Sequence, residues 1–281
     1  MSNYQNQITE LAAVARDYYN SVDADEFYFR VWGGEDIHIG LYESADEVVF
    51  DASRRCVKVL SEKLGPSSSD RGVDLGSGYG GAARYLAKTF GCRVECVNVS
   101  QTQNIRNREM TVAQGLNDQV SVHEAAFESL PFDDQSFDFA WSQDALLHSG
   151  DKPVVMREAY RVLKPGARFI FTDPMQRAEC PPEVLRPVLD RLHLSQMGTF
   201  DDYRAMAEAT GFSVVETQDW THHLDRHYQR VLEELEKTTA ELQDAISEGY
   251  RVKMAEGLRH WIEAAANGYL AWGYLLLEKP E

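Results

Sequence analysis

Apolar positions set the first expectations. From Ile8 through Leu11, Ala12, Ala15, Tyr19 and Val22 they step by three and four, so a helix opens the chain. The stretch from Tyr19 to Ser44 is rich in aromatics but has no clean period. A second helical run carries Val48, Ala52, Cys56, Val59 and Leu60 and stops at Gly65-Pro66. The pattern then changes to strand, glycine turn, helix and strand: Val73-Asp74-Leu75, Gly76 to Gly81, a helix through Leu86, and Arg93 to Val99. Further strands are predicted at 120–123, 137–141 and 168–172, with helices at 105–114 and 154–163. A Pro- and Leu-rich insertion spans 175–198, followed by a helix from Asp201 and a strand near 214–217. Leu224, Tyr228, Val231, Leu235, Leu242 and Ile246 predict one long amphipathic helix. A helix through Leu258 and Trp261 and a strand at 270–277 follow. Repeated βαβ units of this kind cross over right-handedly and build a parallel sheet. The expected fold is therefore a doubly wound, mostly parallel α/β sheet of Rossmann-like type.

The glycine run decides what such a sheet holds. Val73-Asp74-Leu75-Gly76-Ser77-Gly78-Tyr79-Gly80-Gly81 fits the dinucleotide spacing through Gly76, Gly78 and Gly81. It fits the tighter G-x-G-x-G of methyltransferases through Gly76, Gly78 and Gly80. Asp74 would repel a pyrophosphate but can reach the ammonium of a methionine moiety. The second strand ends in Asn98, not in the acid that grips an NAD ribose about 20 residues beyond the glycines. Both features disfavour NAD.

Composition narrows the partners. The 281 residues carry 45 Asp plus Glu against 28 Lys plus Arg, a formal charge of −17, which repels nucleic acid and anionic membranes. No stretch approaches the ~20 apolar residues of a membrane span. The first residues lack the basic start and apolar block of a secretory signal, so a cytoplasmic location is expected. Cys56, Cys92, Cys96 and Cys180 show no metal spacing and are expected to be core thiols, with no metal bound.

Val73–Gly81, Leu130-Pro131-Phe132 with Ser136-Phe137-Asp138, and Arg161 to Gly166 resemble the class I methyltransferase fold. More narrowly, Cys96 to Asn104, Trp141 to Ser149, Thr172 to Met175 and Gly257 to Glu263 resemble the sarcosine/dimethylglycine N-methyltransferases. The resemblance implies S-adenosylmethionine as cofactor, S-adenosylhomocysteine as its product, and sarcosine and dimethylglycine as acceptors converted to glycine betaine. It implies a site of Asp74, Gly76, Ser77, Gly78 and Gly80 under the cofactor, Asn98 and Gln103 on its ribose, and Gln143 nearby. Many relatives place acids at the positions of Asn98 and Ala126, so here Ala126 and Phe127 are expected to meet the adenine through backbone groups and stacking.

Ligands of open α/β sheets lie outside the carboxyl ends of the strands, so 143–148 and 173–175 should face the transferred methyl. Asp144 and His148, four apart, would share a helical face as an ordered pair in the catalytic region. A quaternary ammonium product suits an aromatic cage, for which Tyr28 and Trp32 are the candidates, Tyr19, Trp141, Trp261 and Trp272 being more readily packing; His38 and Met175 complete the expected substrate residues. Arg30, Arg177, Arg186 or Arg191 could pair with a substrate carboxylate. The expected division is a cap at 1–55, a cofactor core at 56–174, lid elements at 175–203 and 221–267, and the rest of the core at 204–220 and 268–281, in a monomer or dimer. Alternatives are a methyltransferase of phosphoethanolamine or of a hydroxyl, a cofactor-binding module without catalysis, and an NAD oxidoreductase.

Overall fold

The computed structural model describes residues 10–281 apart from 182, 193 and 195, with the side chains of 11, 191 and 192 left aside. Ile8 therefore lies outside the described residues. The chain opens with α1 (Glu10–Tyr19) and α2 (Val22–Phe27), a π-helical turn at Tyr28–Trp32, an extended stretch, and α3 (Val49–Leu64). Gly65 ends α3 in the left-handed region at φ 66°, which glycine adopts without a Cβ clash. Alternation then begins: β1 (Arg71–Leu75), α4 (Gly81–Phe90), β2 (Arg93–Asn98), α5 (Gln101–Ala113), β3 (Val120–Glu124), β4 (Phe137–Gln143), α6 (Lys152–Val162) and β5 (Leu163–Gln176). The remainder is α7 (Arg186–Leu192), α8 (Phe200–Thr210), β6 (Ser213–Asp219), α9 (Leu224–Lys237), α10 (Thr239–Leu242), α11 (Glu248–Ala266) and β7 (Leu270–Glu278).

The seven strands lie in the order β3-β2-β1-β4-β5-β7-β6. All pairings are parallel except those of β7, which runs antiparallel between β5 and β6. Strand alternation sends side chains to two apolar layers. Phe139, Trp141, Ile170, Trp272 and Tyr274 pack with α3, α4, α9 and α11. Val73, Leu75, Phe169, Phe171 and Leu275 pack with α6 and α8. Cys56, Cys92 and Cys96 are buried thiols, as expected; Cys180 is half-exposed, so it is not a core residue.

Two departures from the pattern have local causes. The long helix expected from Leu224 to Ile246 breaks at Thr238, where Thr238 and Thr239 hydroxyls bond back to Glu234 O and Leu235 O at 2.6 and 2.8 Å and compete with the backbone ladder. No helix carries Asp144 and His148 on one face. Asp144 has φ 50°, outside the right-handed region, and only a single 3-10 turn at Leu146–His148 follows. No described helix is long and apolar enough to cross a membrane.

Candidate active site

The carboxyl ends of β1, β2 and β4 open into a cavity. Its floor is the glycine turn. The N–H groups of Gly76 and Ser77 both donate to Val97 O, at 2.9 and 3.1 Å, folding the chain sharply at the end of β1. Gly76, at φ 77°, lies so close to the neighbouring loop that a Cβ would stand 2.4 Å from Ala145 Cβ. Gly78 lines the cavity at φ 52° beneath Ile37. Gly80 serves differently: it does not line the cavity, and a Cβ there would meet the Asn107 side chain at 2.3 Å. Its φ of 74° and the close approach of Asn107 from α5 both require glycine there.

Asp74 lies buried under the turn, and burial together with the nearby Asp36 pushes its carboxyl up to about 7. Burial also pushes Asp36 up to about 7, Glu35 adding to this while Arg54, 2.7 Å away, and Arg84 oppose it. The wall at β2 is Asn98, whose Nδ2 donates to Gln103 Oε1 at 2.9 Å; Ser100 caps α5 by accepting from Gln103 N at 3.2 Å and so fixes that side chain. Gln103 Nε2 and Ser77 Oγ are buried without a partner. At the far end stand Ala125, Phe127 and Glu128. Ala126 is buried between Ala125 and Phe127, which line the cavity on either side of it. Glu128, which sequence reasoning missed, keeps Oε2 buried and unpartnered while Oε1 accepts from Ser149 at 2.7 Å. An acid just beyond β3 was the available signal. Gln143 lines the same space and accepts from Trp141 Nε1 at 3.2 Å.

The roof is α1, through Ala12, Ala15 and Tyr19. Asn20 ties it down, its Oδ1 accepting from Ser100 Oγ at 2.9 Å and Thr102 N at 3.2 Å. Tyr19 OH also lies 3.2 Å from His148 Nε2, with the two rings edge to face. Burial and the charge of Lys152 push His148 down to about 4, so a neutral imidazole takes this bond. The expected Asp144–His148 pair is therefore replaced by two separate pairings. Asp144 accepts from Ile39 N at 2.7 Å and from Trp272 Nε1 at 2.8 Å, bracketing the extended stretch after the π-turn onto the sheet. Burial raises its carboxyl to about 6 against the lowering effect of Ile39, Trp272 and Thr172.

Adjoining the first cavity, a second shares Tyr19, Ile37, His38, Asp144 and His148 with it. Five rings line it in a chain: Tyr19 and Tyr28 with centroids 5.3 Å apart, Tyr28 and Trp32 5.2 Å, Trp32 and Tyr228 5.8 Å, Tyr228 and Trp261 4.7 Å. Tyr28, Trp32 and His38 are thus brought together as expected; Tyr228 was missed, and Tyr19 and Trp261 were read as packing. Trp141 and Trp272 lie outside this second cavity. Met175 is wholly buried in the sheet, and its neighbour Pro174 reaches the cavity in its place. No lysine or arginine is among the described lining residues. Arg30 pairs with Glu26, Arg177 with Asp219 at 2.9 Å and Arg186 with Asp190 at 3.6 Å, while the Arg191 side chain is outside those described. Two buried polar atoms of the lining have no partner, Trp32 Nε1 and His38 Nε2.

The glycine cradle, the unpartnered amide and hydroxyl, and the buried acids below suit a ligand with hydroxyls, amines and a positive charge. Sheet order and cavity define a class I S-adenosylmethionine-dependent methyltransferase, and a family model described as a methyltransferase domain matches residues 73–171. The chain is 50% identical, over 96% of its length and 98% of the relative's, to a sarcosine/dimethylglycine N-methyltransferase of Aphanothece halophytica. It is 49% identical, over 99% of both, to another so named from Halorhodospira halochloris. A crystal structure from Galdieria sulphuraria assigned as a sarcosine dimethylglycine methyltransferase shares 41% identity at a TM-score of 0.88, covering 94% of this chain and 99% of that one. The protein belongs to the sarcosine/dimethylglycine N-methyltransferase family.

Proposed function

We propose that this enzyme methylates sarcosine and then dimethylglycine, yielding glycine betaine. The observation that carries the reading is the five-ring cavity, with no lysine or arginine among its described lining residues, set directly against the cofactor cavity. Electron-rich ring faces favour a methylated ammonium, and their favour grows with each methyl that replaces an N–H needing a partner.

In the first cavity, Gly76 and Gly78 supply bare backbone, Asn98 and Gln103 take the ribose hydroxyls, Phe127 and Glu128 face the adenine, and Asp74 draws the amino group of the methionine portion. Bound there, S-adenosylmethionine supplies an electrophilic methyl on a sulfonium. The chain's own task is alignment and exclusion of water. Tyr19 and His148 close α1 over the join between the two cavities. The rings hold the acceptor nitrogen, and the Trp32 indole N–H, buried and without a protein partner, donates to the carboxylate. A strong base is unnecessary: with an amine pKa near ~10, roughly one acceptor in 10³ is free base at pH 7.

The test is incubation of the purified protein with labelled S-adenosylmethionine and glycine, sarcosine or dimethylglycine separately. Label in dimethylglycine and betaine from the last two supports the reading. Transfer only to a phosphobase or a hydroxyl acceptor overturns it.

A further inference from the structure

The two unpartnered polar atoms at the aromatic cavity differ in kind. Trp32 Nε1 can only donate. His38 Nδ1 lies 3.1 Å from Ile39 O and must carry the ring hydrogen to bond it, so Nε2 presents a lone pair. Burial pushes this imidazole down to about 4, so it stays a neutral acceptor at neutral and alkaline pH. The backbone beneath it is fixed: His38 O accepts from Ser53 Oγ at 2.9 Å, Ile39 N donates to Asp144 at 2.7 Å, and Gly40 N donates to His227 at 3.3 Å. A Cβ at Gly40 would stand 2.6 Å from the Ala52 carbonyl carbon, so this stretch lies tight on α3.

The two methylations place different demands on such an acceptor. Sarcosine arrives as an ammonium with two N–H bonds. One proton leaves to solvent, and the electron pair left on nitrogen forms the new N–C bond as the S–C bond breaks and its pair returns to sulfur. The second hydrogen stays on nitrogen throughout and becomes more positive as the bond forms. In dimethylglycine the single N–H proton is the one that leaves, so the attacking nitrogen carries none. A retained N–H among five rings has no partner unless the lining provides one, and leaving it bare forfeits a hydrogen bond at its strongest.

We propose that His38 Nε2 accepts the hydrogen that sarcosine keeps during methyl transfer, which makes His38 a determinant of the sarcosine step specifically. The inference rests on the acceptor assignment above. By the same count glycine, which keeps two hydrogens, leaves one bare and is the poorest of the three acceptors.

The experiment measures kcat/KM for sarcosine and for dimethylglycine separately in the wild type, His38→Leu and His38→Gln. His38→Leu is expected to lower the sarcosine value about ten- to hundredfold more than the dimethylglycine value. His38→Gln, whose amide oxygen can accept, should recover part of that ratio. A sarcosine-to-dimethylglycine ratio within about threefold of wild type in both variants, whether through no loss or through equal loss, overturns the proposal. Absence of wild-type turnover on either acceptor would instead overturn the acceptor assignment.

Discussion

Asp144→Asn separates what this carboxylate does for the fold from what it does for the site. Asp144 brackets Ile39 N and Trp272 Nε1, with φ 50° that asparagine tolerates as well as aspartate. An amide presents one acceptor and one donor, so one of the two buried N–H groups loses its partner, at about 1–3 kcal/mol. An opposing effect is of the same size. Burial holds Asp144 at about 6 against an ordinary 3.8, so at pH 8, where it is ionised folded and unfolded, folding is less favourable by about 3 kcal/mol than with a carboxyl of ordinary pKa. A raised carboxyl loses stability as pH climbs from the unfolded value through the folded one, and asparagine removes that loss. The two effects offset to within about 2 kcal/mol, and Tm at pH 8 should change by no more than about 8 °C. Activity should not be spared. Ile39 adjoins His38, and a shift on the order of 1 Å there misplaces the acceptor, for a fall of about 10²-fold in kcat/KM. Thermal unfolding by calorimetry and steady-state kinetics at pH 8 read the two quantities. Wild-type activity in a normally folded variant would refute the bracketing role; a large loss of Tm with little loss of activity would refute the cancellation.

Gly78→Val puts a branched side chain at φ 52° within 3.2 Å of Ile37 Cγ1, and calorimetry should show S-adenosylmethionine binding lost while circular dichroism stays native. Activity on dimethylglycine should rise from pH 7 toward pH 9 in step with the free amine, because His38 and His148, both held near 4, stay neutral over that range; a flat profile with chemistry rate-limiting would contradict this. Dimethylethanolamine keeps the tertiary amine but has no carboxylate, so the wild type should favour dimethylglycine about 10- to 150-fold in kcat/KM. Trp32→Phe, which removes the indole N–H, should narrow that ratio about tenfold, and an unchanged ratio would assign the carboxylate to another donor.

The cofactor half of the site was legible because its residues are local in sequence. Asp74 to Gly81 and Asn98 sit at strand ends whose period is readable, Gln103 follows in the first turn of α5, and the turn's spacing carries its own meaning. The aromatic cavity draws Tyr19 from α1, Tyr28 and Trp32 from the π-turn, Tyr228 from α9 and Trp261 from α11. Each ring on a helix occupies a position that also serves packing, so periodicity alone marks Tyr228 as core. The four-residue spacing of Asp144 and His148 misled because it presumes continuous helix, and the left-handed Asp144 sends the two side chains to different partners. Gly80 and Met175 sit beside lining residues in sequence, but the turn of the chain at Gly80 and the pleat at Met175 point them into packing.

The antiparallel position of β7 shapes how the molecule is made. In the sheet, β6 has β7 as its one neighbour, and β7 also carries Trp272, whose N–H meets Asp144. A chain emerging from the ribosome therefore displays β6 before the strand that pairs with it exists, and the bracket on the acceptor stretch cannot form until that strand is inserted. The glycine turn, built from β1 and β2, can organise much earlier. Order of synthesis thus runs in the same sense as sequence legibility: the strands that build the glycine turn are made first, and the strand that completes the bracket on Asp144 is made last.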